Sequence, residues 1–395
     1  MSQQPKRLTR KELLRRNKKI AKRRQNRMIL AGVVVTVFLV YITGIYGASL
    51  AYLGDFLSTG LVYLQFGNGF PVEIENQTFK QAEKMGSALT VLNSESLSFY
   101  SPTGNKVYEY YHSMQNPVID ASDKRVAIYN ANETSLKIAN AHKILFNQEM
   151  PNDIIHASLA KNNYVAVTTK SQSFNGEVII YNSQMEEVMK WLNAKSFPIQ
   201  SFLSPKAKTL AVSCVLAENG KLMSDIYLMD IHNGTEKCSL RNAEGAVLAI
   251  EYINENEIIV FYTNKAVIIN TDDGAIKYEY QYNGKNLKSY DIKNRQILMS
   301  FGSYSTKSDS NIIMTDFKFT PIFEVNTPQY ISDITISNQR IYAMGDKFVE
   351  QYSLSGVKIG ETPIKNNIKS ILDYNGCIAI YGDSLDKVEK YRGNS

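Results

Sequence analysis

Val126-Ala-Ile-Tyr-Asn-Ala-Asn-Glu-Thr-Ser-Leu-Lys-Ile-Ala-Asn-Ala-His142 decides the architecture of this chain. It opens on Val126-Ala-Ile-Tyr, small and β-branched residues suited to a strand packed on both faces, and closes on Ile138-Ala-Asn-Ala-His, an apolar strand end running into a polar turn. The closing pattern returns as Tyr100-Ser-Pro-Thr-Gly, Tyr181-Asn-Ser-Gln-Met, Met229-Asp-Ile-His-Asn-Gly, Ile269-Asn-Thr-Asp-Asp-Gly, Met314-Thr-Asp-Phe-Lys and Tyr352-Ser-Leu-Ser-Gly. The leading residues of these seven copies are 38, 43, 48, 40, 45 and 38 positions apart. The opening pattern returns at Leu89, Val165, Leu210, Ile258, Ile297, Ile341 and Cys377. A period of about 42 residues is that of a four-stranded propeller blade.

A further strand precedes each of these second strands, as in Pro117-Val-Ile-Asp, Ile154-Ile-His-Ala, Val247-Leu-Ala-Ile, Ile331-Ser-Asp-Ile and Ile368-Lys-Ser-Ile, and is assigned to the blade's inner edge. The last repeat has an inner strand near 368–372, a second near 377–381 and a third near 387–391, then the chain stops. Its missing outer strand would leave an open edge, and the isolated strand-like Phe70-Pro-Val-Glu-Ile at the other end can fill it. The expected fold is therefore all-β, an eight-bladed β-propeller over 70–395. Seven blades remain the alternative if Thr78–Met85 is not an inner strand.

The chain has 395 residues, 44% apolar and 11% aromatic, enough for a substantial core and incompatible with a disordered tail or a disulfide miniprotein. Its net charge of +6 is unevenly placed. Residues 1–27 hold 12 Lys or Arg against Glu12 alone, so the remainder is mildly acidic. From Met28 to Gly54 no residue is charged, 27 positions that span a bilayer as a helix and exceed a cleaved signal's apolar core of about 7–15 residues. The expected organisation is a basic cytoplasmic tail (1–27), a single N-terminal transmembrane helix (28–54), a juxtamembrane linker (55–69) and the propeller. Lys and Arg flank the span on its N-terminal side and Asp55 follows it, which puts the N-terminus in the cytoplasm and the C-terminal domain outside the cell membrane. The basic tail has no aromatic residue for base stacking, which argues against nucleic acid and for a topology signal attracted to anionic lipid headgroups.

Chemistry is sparse. Cys214, Cys238 and Cys377 are odd in number and far apart, so no disulfide framework is expected. His112, His142, His156 and His232 are scattered, with His142 and His232 expected solvated in hairpin turns; no P-loop, G-x-G-x-x-G, H-E-x-x-H or G-x-S-x-G occurs. Asp272-Asp273-Gly274 suggests calcium, but a Ca²⁺ loop needs six or more oxygens and this stretch reads as a turn. Trp191 is expected to pack between blades or at the rim rather than to stack on a ligand. No catalytic residue, metal or cofactor is assigned.

The order of basic tail, single span, Gly69-Phe70-Pro71 and degenerate repeats resembles an uncharacterised bacterial family of membrane-anchored propeller proteins with WD40-like or quinoprotein-like blades. Tyr164-Val-Ala-Val-Thr-Thr-Lys-Ser and Phe202-Leu-Ser-Pro-Lys-Ala-Lys-Thr-Leu-Ala-Val-Ser carry the resemblance, the latter being similar to the Ser-Pro-Asp-Gly-Lys turn of WD40-like and TolB-like blades with Lys206-Ala207 in place of Asp-Gly. The resemblance implies a propeller on one span and carries over no catalytic residue.

Insertions in a repeat fold mark the functional face. Three connections between second and third strands are long: Ser171–Gly176, Ala217–Asp225 and Gly302–Asn311. They present Phe174, Lys221, Tyr304, Lys307 and Asp309 as binding-face candidates. The expected function is a non-enzymatic scaffold at the cell envelope that binds an envelope protein or a wall polymer. The alternatives are a propeller enzyme, either a quinone-dependent dehydrogenase or a hydrolase, and a signalling receptor.

Overall fold

The second strand of every repeat is built from small, β-branched and aromatic residues, and in the computed structural model these strands are buried along nearly their whole length. Outer strands alternate polar with apolar residues and are half or more exposed, as Glu187–Asn193 and Ile276–Gln281 illustrate. The structure describes residues 61–62, 65–74, 78–303 and 308–391. The chain divides into two units, Met1–Leu57 and Ser58–Ser395, and the description concerns the second. The expected tail and helix, 1–27 and 28–54, lie outside the described residues; among those described, no helix is long and apolar enough to cross a membrane.

The strands form eight four-stranded antiparallel sheets, the blades of a propeller. Their innermost strands are Phe79–Met85, Pro117–Ala121, Ile154–Leu159, Phe197–Leu203, Val247–Asn254, Asn286–Lys293, Asp333–Ser337 and Ile368–Asp373. Phe79–Met85 is thus an inner strand, which decides for eight blades over seven. Eight apolar clusters each fill the space between two successive blades, and Ile74, Leu89, Val91, Tyr374, Ile378 and Leu385 join blade 8 to blade 1. The ring is closed by packing as well as by hydrogen bonds.

Blade 8 takes its outer strand from the start of the domain: Val72 pairs with Leu385 and Glu73 with Ser384. Its third strand is Ser384–Lys387, earlier than the expected 387–391, because only Gly382 and Asp383 separate it from Cys377–Tyr381. The buried Tyr374 hydroxyl reaches the Ser87 carbonyl (2.7 Å) and the Tyr100 carbonyl (2.9 Å), tying the last blade to the first.

Two further expectations are corrected. Ala217–Asp225 is not a loop: Thr209–Glu218 and Lys221–Asp230 continue as a paired ribbon to Glu218↔Lys221, turning at Asn219-Gly220. Both turn residues have positive φ (52° and 75°), which suits the primed hairpin turns that match strand twist. His142 is also not a solvated turn residue, since both ring nitrogens are buried without a hydrogen-bond partner.

Because strands alternate in direction, turns joining first to second and third to fourth strands share one face, here the turn face. Second-to-third connections and links between blades share the other, the loop face. The chain reaches the propeller on the turn face of blade 1, where Gly67 N–H donates to Thr103 Oγ1 (2.8 Å), Gly69 N–H to the Thr103 carbonyl (2.9 Å) and Asn105 Nδ2 to Gln65 Oε1 (3.0 Å). Val62 in the expected linker is buried in the cluster between blades 1 and 2.

Candidate functional site

The inner strands carry a hoop of polar residues, each reaching the neighbouring blade. Glu83 Oε2 accepts from Ala121 N–H (2.6 Å), Asp120 Oδ2 from Leu159 N–H (2.6 Å), His156 Nδ1 from Ser201 N–H (3.3 Å), Asp291 Oδ2 from Ile336 N–H (2.6 Å) and Asp333 Oδ2 from Ile371 N–H (3.0 Å). Glu251 accepts from the Tyr290 hydroxyl (3.0 Å), and Asp373 from Ser337 Oγ (2.6 Å) and Lys293. The amides satisfied this way belong to strand edges that would otherwise lack partners at the axis.

Three of these carboxyls, on blades 1, 2 and 5, act on one another across the axis. Burial, then the Asp120 charge, pushes Glu83 up to about 8. Burial, with Glu251 adding, pushes Asp120 up to about 7, against the hydrogen bond from Leu159. Glu251 is raised by burial as well, against the hydrogen bond from the Tyr290 hydroxyl. His156, between the rings of Tyr129 and Phe202, is pushed down to about 4 by burial and is a neutral acceptor. Asp120 and Glu251 line a cavity of about 280 Å³ at the channel's mouth on the turn face, with Lys84, Lys161, Phe202 and Tyr252. Among the described residues no group of three His, Cys, Asp or Glu side chains is placed to hold a metal ion. Asp272 pairs with Lys237, and Asp273 caps its own turn by accepting from Ala275 N–H (2.9 Å).

The loop face carries a different surface. Phe174 (40% exposed), Phe197 (56%), Leu222 (53%) and Leu248 (43%) stand on blades 3, 4 and 5. Close contacts join the segments that carry them. Gly176 lies so close to Pro198 that a Cβ there would sit 2.5 Å from the proline ring, drawing the Phe174 loop onto Phe197-Pro198. Gly245 N–H donates to the Leu222 carbonyl (3.3 Å) just before the strand that presents Leu248. Of the residues expected here, Phe174 belongs to this surface. Lys221 stands beside it and pairs with Glu244 (3.1 Å), an exposed contact worth little in stability. Asp309 lies on blade 6, where it lines a polar cavity of about 360 Å³ with Lys285, Asn286, Asn311 and Asn326. Tyr304 and Lys307 lie outside the described residues. Trp191 packs against Tyr227 (ring centroids 5.1 Å apart) in the layer between blades 3 and 4.

Sequence reasoning missed the axial hoop and the apolar patch. The hoop had a signal: an acidic residue or a histidine recurs in the inner strands, Asp120, His156, Glu251 and Asp333 among them. The patch had none, because Phe197, Leu222 and Leu248 are distant in sequence and read as ordinary strand residues.

Residues 69–389 match the family model described as a family of unknown function, DUF5711. No curated protein matches the chain. Among solved structures it is similar to the computationally designed Ika8 protein (10% identity, TM-score 0.62, covering 82% of this chain and 100% of that one). It is also similar to BamB from Moraxella catarrhalis (11%, 0.56, 82% and 100%) and to the quinohemoprotein alcohol dehydrogenase from Comamonas testosteroni (9%, 0.58, 80% and 73%). At these identities the likeness is one of fold.

Proposed function

The chain belongs to the DUF5711 family, and on that premise we propose that it is a non-enzymatic binding scaffold, held in the cell membrane by residues 28–54 with its propeller outside, which recruits an envelope protein through the loop face. The basic tail stays in the cytoplasm against anionic lipid headgroups. The observation that carries this reading is the apolar patch of Phe174, Phe197, Leu222 and Leu248 across three successive blades. Exposed apolar side chains gathered on one face of a rigid ring favour a protein-binding face, and aromatic side chains among them are the usual anchors. Gly67 and Gly69 meet the propeller on the turn face, the face opposite the patch. The axial carboxyls, by contrast, are engaged in joining blades, which favours a structural role for them over acid–base work.

A wall polymer is the second reading, favoured by the polar cavity at blade 6, where Asn286, Asn326 and Asp309 offer donors and acceptors suited to sugar hydroxyls. A photo-crosslinking amino acid placed at Phe197 or Leu222 in living cells should capture a discrete protein; the same residue at Ile322, exposed on the outer strand of blade 6, should not. Combining Phe174→Ser with Leu222→Ser should abolish capture and leave the melting temperature within a few degrees, since surface substitutions usually change stability by about 0.5 kcal/mol or less. Capture that survives the double substitution overturns the reading. Capture of glycan alone selects the polymer.

A further inference from the structure

Past Lys387 the chain leaves the closing blade and crosses onto blade 7. Val388 is fixed by its N–H to the Cys377 carbonyl (2.9 Å). The next three residues run over the third and fourth strands of blade 7, Phe348–Ser353 and Lys358–Pro363, without joining any sheet. Gln351 meets them with both ends of its amide: Nε2 donates to the Glu389 carbonyl (2.7 Å) and Oε1 accepts from Tyr391 N–H (3.0 Å). Thr362 Oγ1 donates to the Glu389 carbonyl (3.2 Å) and Arg340 Nη1 to the Tyr391 carbonyl (3.2 Å). Every one of these bonds goes to main chain, so the contact recognises an extended backbone rather than a particular sequence.

One side chain is recognised as well. The Tyr391 ring lies on Gly360, where a Cβ would fall 2.4 Å from the ring carbons. Gly360 does not have the positive φ that would itself call for glycine, so the visible reason for its missing side chain is the seat for that ring. The receiving groups are also fixed independently of the tail. Gln351 is fully buried, its Nε2 donating to Thr362 Oγ1 (2.8 Å) and its Oε1 accepting from Arg340 Nη1 (3.0 Å). A prearranged set of donors and acceptors loses little freedom on binding. The tail stays open to solvent: Glu389, Lys390 and Tyr391 are exposed, and beside them lies a cavity of about 970 Å³ lined by Phe70, Asn338, Tyr342, Pro363 and Lys387.

We propose that this seam between blades 7 and 8 is a binding slot for an extended polypeptide segment bearing an aromatic residue, occupied in the resting molecule by the chain's own Glu389–Tyr391 and open to the same segment supplied in trans. Backbone reading with a single side-chain pocket is how extended peptides are recognised on β-surfaces.

The test uses the full chain in detergent, a variant lacking residues 389–395, and a fluorescent peptide of residues 386–391 with an amidated end. The peptide should bind the shortened variant saturably in fluorescence anisotropy and the intact chain at least tenfold more weakly, because the tethered tail competes. Replacing the tyrosine in the peptide by alanine, or introducing Gly360→Ala into the shortened variant, should weaken binding at least tenfold. Absent binding to a folded shortened variant, or binding indifferent to Gly360→Ala, overturns the slot. If the shortened variant loses its cooperative melt, hydrogen exchange of the intact chain decides. The Tyr391 amide should exchange at least a hundredfold faster than the amides of Phe348–Ser353, as it must if the tail opens by itself; equal protection makes the tail a fixed part of the ring and overturns the proposal.

Discussion

Asp120→Asn tests whether the axial hoop stores protons. Asp120 accepts from Leu159 N–H through Oδ2, a bond that an asparagine oxygen can keep, while the charge beside Glu83 and Glu251 disappears. With folded values of about 7 and about 8, Asp120 and Glu83 hold protons at pH 6.5 that the unfolded chain has already released. The folded state therefore binds more protons, and stability must fall as pH rises through this window. Treated as a pair, the two groups bind on average about one proton more than the unfolded chain between pH 6.5 and 8. At 1.36 kcal/mol per unit this amounts to a loss of about 2 kcal/mol. His156 works in the opposite sense, because its folded value of about 4 lies below the unfolded one and penalises only acid conditions; it is common to both proteins and cancels in the comparison. In Asp120→Asn the loss should shrink to about 1 kcal/mol, since burial alone still raises Glu83. At pH 8 the variant should be the more stable of the two. Urea unfolding of both proteins at pH 6.5, 7.25 and 8, followed by tryptophan and tyrosine fluorescence, measures this. Parallel pH profiles, or stability rising toward pH 8 in the parent, would refute the reasoning.

Tyr374→Phe removes the one hydroxyl proton shared between the Ser87 and Tyr100 carbonyls at the join of blades 8 and 1, so urea unfolding should show a loss of about 1–3 kcal/mol with an unchanged far-ultraviolet spectrum. Trp191→Ala should cost about 2–3 kcal/mol by chemical denaturation, because the ring packs between blades 3 and 4 and is only partly buried. A cysteine at Phe174, with Cys238 replaced by alanine, should react with a membrane-impermeant maleimide on intact cells. Burial raises the thiols of Cys214 and Cys377, Cys214 to about 12, and keeps both silent. Labelling only after lysis would contradict the proposed orientation.

Local pattern was enough to write down the blades. Leu89, Val126, Val165 and their counterparts mark second strands because a strand enclosed on both faces can carry no charge, and that constraint acts on each short segment separately. Strand-to-strand order within a blade follows from short hairpins, and even the borrowed strand at Val72 was legible, since an unpaired edge demands a partner. The positions that failed are those where the neighbour is remote: Lys387, expected to start a strand, ends one and leads into a tail shaped by Gln351 and Gly360 on another blade, and the ring nitrogens of the half-buried His142 are enclosed without a polar partner.

The sequence by itself determined the repeat, the closure between the two ends, the enclosed second strands and the position of the charge-free run at 28–54. Only the tertiary structure decided that the ring has eight blades, because Phe79–Met85 mixes polar and apolar residues and reads as a strand only once it lies along the axis beside Ala88–Asn93. Only the ring, likewise, brings Glu83, Asp120 and Glu251 into one field, and Phe174, Phe197, Leu222 and Leu248 onto one surface. Periodicity reports which way a side chain points from its own strand. What it points toward depends on how successive blades are rotated about a common axis, and that rotation is fixed by the packing of whole sheets.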